Sequence, residues 1–301
     1  MTGTAFLERL AAPNPALYSI PAGRPFLEEL VHPLLDAYGA DPVGLADVTI
    51  FLPNRRAVRS LAEVIHERHP EGGAVSLPRL RALGDVDETD LLFSGGVPEV
   101  ARELPPAIDP QTRRLILAQL VHRAQGGQQR WAACLDGADA LGRLLDECHT
   151  DDIDLSRLET LVPPEVVEGA AGHWQQSLEF LSIVTDYWPK ILASQGAMEP
   201  AARRRILMGA LADSVAAGAA AKPIIVAGSL GTVRATGQLM AAVARASQGL
   251  VVLPGFDTDL DEAGWAEVDP PHPQGVFRER LTRDFGDAGR EAILPWPREA
   301  E

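Results

Sequence analysis

Two turns in this sequence stand where a nucleotide-binding protein would hold phosphate and magnesium. The first, Tyr18-Ser-Ile-Pro-Ala-Gly23-Arg24-Pro25, joins the short apolar run Ala16–Ile20 to a segment of helical periodicity. A phosphate loop at such a junction needs backbone N–H groups at a helix N-terminus, a lysine, and a Ser/Thr hydroxyl for the metal. Against the spacing GxxxxGK[ST] only Gly23 fits: Tyr18 replaces the first glycine, Arg24 the lysine and Pro25 the hydroxyl residue. Pro25 brings neither hydroxyl nor N–H, and Pro21 removes a further donor. Arg24 keeps the positive charge, but as a planar fork rather than a compact ammonium. The second turn follows Ile224-Ile-Val226, the strand at whose end an ATPase places an Asp for Mg²⁺ and a Glu for water. Here the chain continues as Ala227-Gly228, with no carboxylate. Both losses point the same way: no hydrolysis, no cofactor and no catalytic residue are expected, and binding or scaffolding is the expected role.

Weaker constellations remain. Asp257, Asp259, Asp261 and Glu262 follow a strand end, where α/β proteins bind ligands. An EF-hand template fails, with Glu262 at the required glycine and Val268 at the closing Glu, so a solvated acidic turn is the preferred reading. Cys148 and His149 are adjacent, and neighbours on a helix point about 100° apart, which is poor geometry for a nucleophile and its base. His272-Pro273-Gln274 falls in a loop, where packing is the preferred role. The five tryptophans, at 131, 174, 188, 265 and 296, are read as core rather than as platforms for bases.

The elements that would position these residues are legible from periodicity. After the run at 16–20, a helix is expected from Arg24, with Phe26, Leu27, Leu30, Val31, Leu34 and Leu35 on one stripe. Val48–Leu52 reads as a strand buried on both faces, followed by Asn54 as a helix cap and by Val58, Leu61 and Ile65 at helical spacing. Val75–Leu80 is a weaker third strand. From about Gly84 the chain turns acidic (Asp85, Asp87, Glu88, Asp90). A helix start at Asp109-Pro110 then opens a helical stretch reaching about Ala220. Strand character returns at Pro223–Ala227 and Gly249–Leu253, with a helix between them from about Val233 to Ser247. The tail after Asp261 shows no clear periodicity. The expected fold is therefore α/β, a parallel sheet drawn from residues 1–84 and 221–301, interrupted by a helical subdomain at 85–220, with the tail irregular.

Composition limits the partners. With 27 Lys and Arg against 42 Asp and Glu, the formal charge is 27 − 42 = −15. That charge opposes diffuse binding to nucleic acid, so any such contact must come from local basic clusters. Cys134 and Cys148 are expected to be buried, reduced thiols, not a disulfide or metal pair. No apolar run is long enough to span a membrane, and the start lacks a signal-peptide pattern, so the cytoplasm is the expected compartment.

Several multi-residue blocks resemble one family. Ile20–Leu27, Val48–Ala57 and Pro78–Asp87 resemble the start of alphaproteobacterial AddB proteins; Ile225–Thr236, Val251–Asp257 and His272–Gln274 fit the same family in the same order. The resemblance implies a degenerate P-loop-NTPase/helicase-like core with a large all-α insertion. It further implies the N-terminal part of a longer helicase–nuclease subunit that resects double-strand breaks with an AddA-like partner and scans single-stranded DNA. The nuclease of that family lies towards the C-terminus, and no nuclease motif is present here. By the same analogy the turn at Pro53-Asn54-Arg55-Arg56 meets the DNA backbone, making Arg55 and Arg56, then Arg234, the expected nucleic-acid contacts. A solvated helix start is the competing reading of those arginines. For the whole chain two rivals stand: a purely structural protein–protein module, and a P-loop enzyme with an unusual loop.

Overall fold

The structure, a computed structural model, describes residues 16–39, 41–69, 76–85, 98–155, 180–218, 222–257, 259–269, 271–285 and 290–296. The chain forms two compact units. One comprises Met1–Ala101 with Leu207–Glu301, the other Arg102–Ile206, and the division falls inside one helix, Pro200–Ala216.

The first unit holds a six-stranded, wholly parallel sheet. Its strands are β1 (Leu17–Ile20), β2 (Thr49–Leu52), β3 (Arg79–Ala82), β4 (Ile224–Ala227), β5 (Gly249–Pro254) and β6 (Ile293–Pro295), in the order β3-β2-β4-β5-β1-β6. Parallel strands covered on both faces read as continuous apolar runs, and β1, β2, β4 and β5 are such runs, almost wholly buried. The edges differ. β3 is Arg-Leu-Arg-Ala and partly exposed, and β6 exposes Leu294 and Pro295.

Helices cover both faces. Between β1 and β2 run α1 (Phe26–Tyr38) and α2 (Pro42–Asp47), and β2 leads to β3 through α3 (Arg55–Arg68). Leu30, Val31, Leu34, Leu45, Leu61 and Ile65 from these helices pack with Tyr18, Ile20, Ile50, Leu52, Ile225, Ala227, Leu250 and Val252 in one core cluster. Side chains alternate along a strand, so Phe51, Val226, Val251 and Leu253 point to the other face. That face carries α9 (Arg234–Arg245), which packs on β4 and β5 and against α11 (Pro273–Asp284). The chirality of parallel crossovers requires this arrangement: β1→β2 and β4→β5 run in opposite directions across the sheet, so right-handed connections lie on opposite faces.

In the second unit α5 (Pro110–Ala124) packs along α6 (Trp131–Asp151), with a π-helical turn at Ile183–Tyr187 leading into α7 (Trp188–Gln195). A short α4 (Pro98–Glu103) precedes them, and α8 (Pro200–Ala216) follows. Among the described residues of this unit the only extended pairing is a single parallel bridge, Ala107 to Met198. Its core gathers Leu117, Val121, Leu141, Leu145, Val184 and Trp188. Glu199 is 2% exposed there, accepting a 2.6 Å hydrogen bond from Trp188 Nε1 and lying 2.8 Å from an Arg113 guanidinium nitrogen. A buried carboxylate is tolerable only with such partners.

Several expectations need correction. The third strand lies at 79–82 instead of 75–80, because Arg79 N donates to Val48 O and sets the register against β2; Val75 is outside the described residues. The tail is not irregular: it forms α10 (Glu262–Ala266), α11 and β6, and β6 adds to the outer side of β1. Trp131 is not core. It is 53% exposed and stacks on His122 with ring centroids 4.9 Å apart. Trp188, Trp265 and Trp296 are buried as expected, while Trp174, Asp87, Glu88 and Asp90 lie outside the described residues. Both cysteines are free and buried.

Candidate functional site

A parallel sheet gathers all its strand-end turns at one edge. The turns after β1 (Pro21–Pro25), β2 (Pro53–Arg56), β4 (Gly228–Val233) and β5 (Gly255–Asp261) therefore share the carboxyl edge, where α/β proteins bind ligands. From β2 the chain leaves towards β3, and from β4 towards β5, so the topological switch point of the sheet lies between β2 and β4. Gly228 sits against Pro53 there: a β-carbon on it would lie 3.4 Å from the proline ring and 3.5 Å from Phe26.

The turn after β1 is filled by the protein itself. Gly23 takes φ +87°, the left-handed conformation that favours glycine. Arg24 turns back onto its own helix, where Nε donates to Glu29 Oε1 at 2.9 Å and a second nitrogen pairs with Glu29 Oε2. Its Nη1 also reaches the carbonyl of Trp296 at 3.4 Å. Trp296, 3% exposed, closes the arrangement. Its backbone N–H donates to Ser19 O at 2.7 Å, its indole meets the Tyr18 ring edge-on at 5.9 Å, and Nε1 donates to Glu29 O at 3.2 Å. That last bond has a local cause. Pro33 lies inside α1 and has no N–H for the carbonyl four residues earlier, which is Glu29's, and the indole replaces the missing donor.

The turn after β2 is built differently. Asn54 Oδ1 accepts from Ala57 N at 2.9 Å, fixing the first turn of α3 as a side-chain cap does. Arg55 and Arg56 follow at once and are exposed, with Arg59 exposed one turn on. After β4, Gly228 and Gly231 take φ of +79° and +63° and Gly231 N donates to Ser229 Oγ at 3.1 Å; Arg234, also exposed, opens α9. The edge thus brings Arg55, Arg56 and Arg234 to the N-termini of two helices that follow the adjacent strands β2 and β4 on opposite faces of the sheet. Helix N-termini and exposed guanidinium groups both favour anions. No carboxylate lies between Ala227 and Arg234.

Other sequence candidates resolve into local structure. Asp257 Oδ1 accepts from the backbone of Asp259 and Leu260 at 2.9 and 3.0 Å, and Asp261 caps α10 through Gly264 N at 2.8 Å. His272 caps α11, its Nδ1 accepting from Gln274 N at 3.3 Å. Gln274 then pins the turn after β5, donating to Gly255 O at 3.2 Å and accepting from Asp257 N at 3.1 Å. His149, in the second unit, is held below the usual histidine range, chiefly by burial. Glu199 opposes that shift, Arg205 and Arg113 reinforce it, and Asp146 opposes it. Burial likewise pushes the Cys148 thiol up, helped by Glu147 and Asp151, which makes it a poor nucleophile.

Sequence reasoning missed Glu29 and gave Trp296 a core role without its contact to Arg24. Only Pro33, four residues after Glu29, left a readable trace, since a proline inside a helical stripe announces an orphaned carbonyl. No protein-family model matches the chain, and comparison with curated proteins finds no match.

Proposed function

We propose that this chain is the N-terminal, ATPase-inactive helicase-like region of an AddB-type subunit of a double-strand-break repair helicase–nuclease, binding single-stranded DNA in the cytoplasm beside an AddA-like partner helicase. On this reading the parallel sheet is a degenerate P-loop-type core and the unit Arg102–Ile206 its helical insertion. One observation carries the proposal. At a single sheet edge, the arginine at the lysine position is engaged by Glu29 and Trp296, and Arg55, Arg56 and Arg234 are exposed in the turns and helix starts after β2 and β4. A triphosphate held at Gly23 would meet Pro21 and Pro25 instead of donors. It would find no acidic pair at the end of β4, which lies one strand away across β5. The multi-residue resemblance supplies the biological setting.

The net charge of −15 favours a second reading, a protein–protein module with no DNA contact. Fluorescence anisotropy with a labelled single-stranded oligonucleotide over a salt series separates the two. DNA binding gives affinity that falls with salt, and Arg55→Ala/Arg56→Ala flattens the log–log slope by about 1.4, or ~0.7 per lost single-strand phosphate contact. A wild-type protein with no affinity at low salt would leave only the structural module. Steady ATP hydrolysis that disappears in Arg24→Ala would reject the silent-site assignment.

A further inference from the structure

We propose that Arg280 is the positioning residue of this interface, holding the segment after β4 in the shape that presents Arg234; the inference rests on the DNA-binding reading above. Arg280 lies on α11, 46 residues further along the chain than Arg234, and is 7% exposed. Its guanidinium reaches across to three consecutive carbonyls: Nη2 donates to Thr232 O at 2.7 Å, and Nη1 lies 3.3 Å from both Val233 O and Arg234 O. Asp284, on the next turn of α11, stands 3.8 Å from the same Nη1 and offsets the buried charge.

The need for this clamp is visible in how the helices begin. Asn54, Asp109, Asp261 and His272 cap α3, α5, α10 and α11 with their side chains. At α9 the capping position is Val233, which makes no side-chain hydrogen bond, so the restraint that a side-chain cap gives is missing there. Arg280 supplies that restraint from outside. Its planar fork suits the task, since one guanidinium can serve several carbonyls where an ammonium acts as a single point.

The surroundings are shaped to admit it. A β-carbon on Gly237 would lie 2.4 Å from Arg280 Nη1, so the first turn of α9 leaves open the space that the guanidinium occupies. A β-carbon on Gly231 would lie 2.8 Å from Met240 Sδ and 3.2 Å from Gly237 Cα, so the same segment is seated directly on the helix. A buried arginine is costly unless paired and hydrogen-bonded. Here its bonds converge on the residues that carry Arg234.

The test is a double-mutant cycle between Arg280→Met and Arg234→Ala. Oligonucleotide binding is read over a salt series, and hydrogen exchange is followed by mass spectrometry across Gly228–Thr236. If Arg280 acts through Arg234, each single change flattens the salt slope by about 0.7, and the double change flattens it no further. Exchange should quicken in Gly228–Thr236 while β2 and β4 keep their protection. Additive slopes near 1.4, or an unchanged slope in Arg280→Met, would overturn the proposal. Should Arg280→Met fail to fold, Gly237→Ala takes its place, displacing the guanidinium while keeping the charge. A wild-type protein without affinity for the oligonucleotide removes the interface reading itself. Arg280 is then judged by exchange alone: local quickening supports its role, and unchanged exchange refutes it.

Discussion

Replacing Gly237 by alanine sets two known effects against each other, and the structure decides between them. In a helix interior Gly→Ala is ordinarily stabilising by about 0.5–1 kcal/mol, because alanine has less backbone freedom to lose. Gly209, in the middle of α8, meets that condition, since an added β-carbon finds no atom within 4 Å. At Gly237 the added carbon falls 2.4 Å from Arg280 Nη1. The guanidinium must move, and its bonds to Thr232, Val233 and Arg234 are disturbed together. Overpacking a tight site costs about 1–3 kcal/mol, and a hydrogen bond to a charged group contributes about 1.5–3 kcal/mol. The loss exceeds the propensity gain, leaving Gly237→Ala destabilised by roughly 2 kcal/mol. For a unit of this size that lowers the melting temperature by about 4–8 °C, whereas Gly209→Ala raises it by about 1–4 °C. Differential scanning calorimetry of the two variants beside the wild type measures both shifts. The cause is checked in an Arg280→Ala background, where the guanidinium is gone and Gly237→Ala should lose most of its cost. Gly237→Ala as stabilising as Gly209→Ala, or equally harmful without Arg280, would refute the argument.

Further outcomes follow from the same contacts. Trp296→Ala removes a buried ring, the substitute donor for Glu29 O and the Tyr18 edge contact, and should cost about 3–5 kcal/mol in urea unfolding; a change below 1 kcal/mol would mean the tail is not integral to the sheet. His149 has a depressed folded pKa, chiefly from burial, so the unfolded chain binds its proton more readily. Its contribution is present above the unfolded value near 6.5 and is lost as pH falls below it. The melting temperature should therefore fall between about pH 7.5 and 5.5, and His149→Gln should flatten that fall; an identical pH profile in the variant would contradict the burial-driven shift.

The sequence alone determined the buried strands and the local caps. Leu17–Ile20, Thr49–Leu52, Ile224–Ala227 and Gly249–Pro254 announce themselves because a strand covered on both faces must be apolar throughout. Asn54 and Asp109 cap the helices predicted for them, because a cap is an interaction over three residues and is written in consecutive positions. The two departures from the phosphate-loop pattern could also be read directly, since they concern which atoms a residue possesses. The edge strands were less legible: a third strand was expected at Val75–Leu80 but lies at Arg79–Ala82, and β6 was not expected at all. β3 alternates with arginine, and β6 is three residues long in a stretch rich in charge and proline, so their pairing depends on neighbours already in place. Only the tertiary structure decided that Arg24 turns to Glu29 and Trp296 while Arg55, Arg56 and Arg234 face outward, and that Arg280 fixes the segment before α9. Those arginines are chemically identical. Which carbonyls the fold brings to Arg24 and Arg280 cannot be read locally, because partners 272 and 46 residues away leave no period in the sequence.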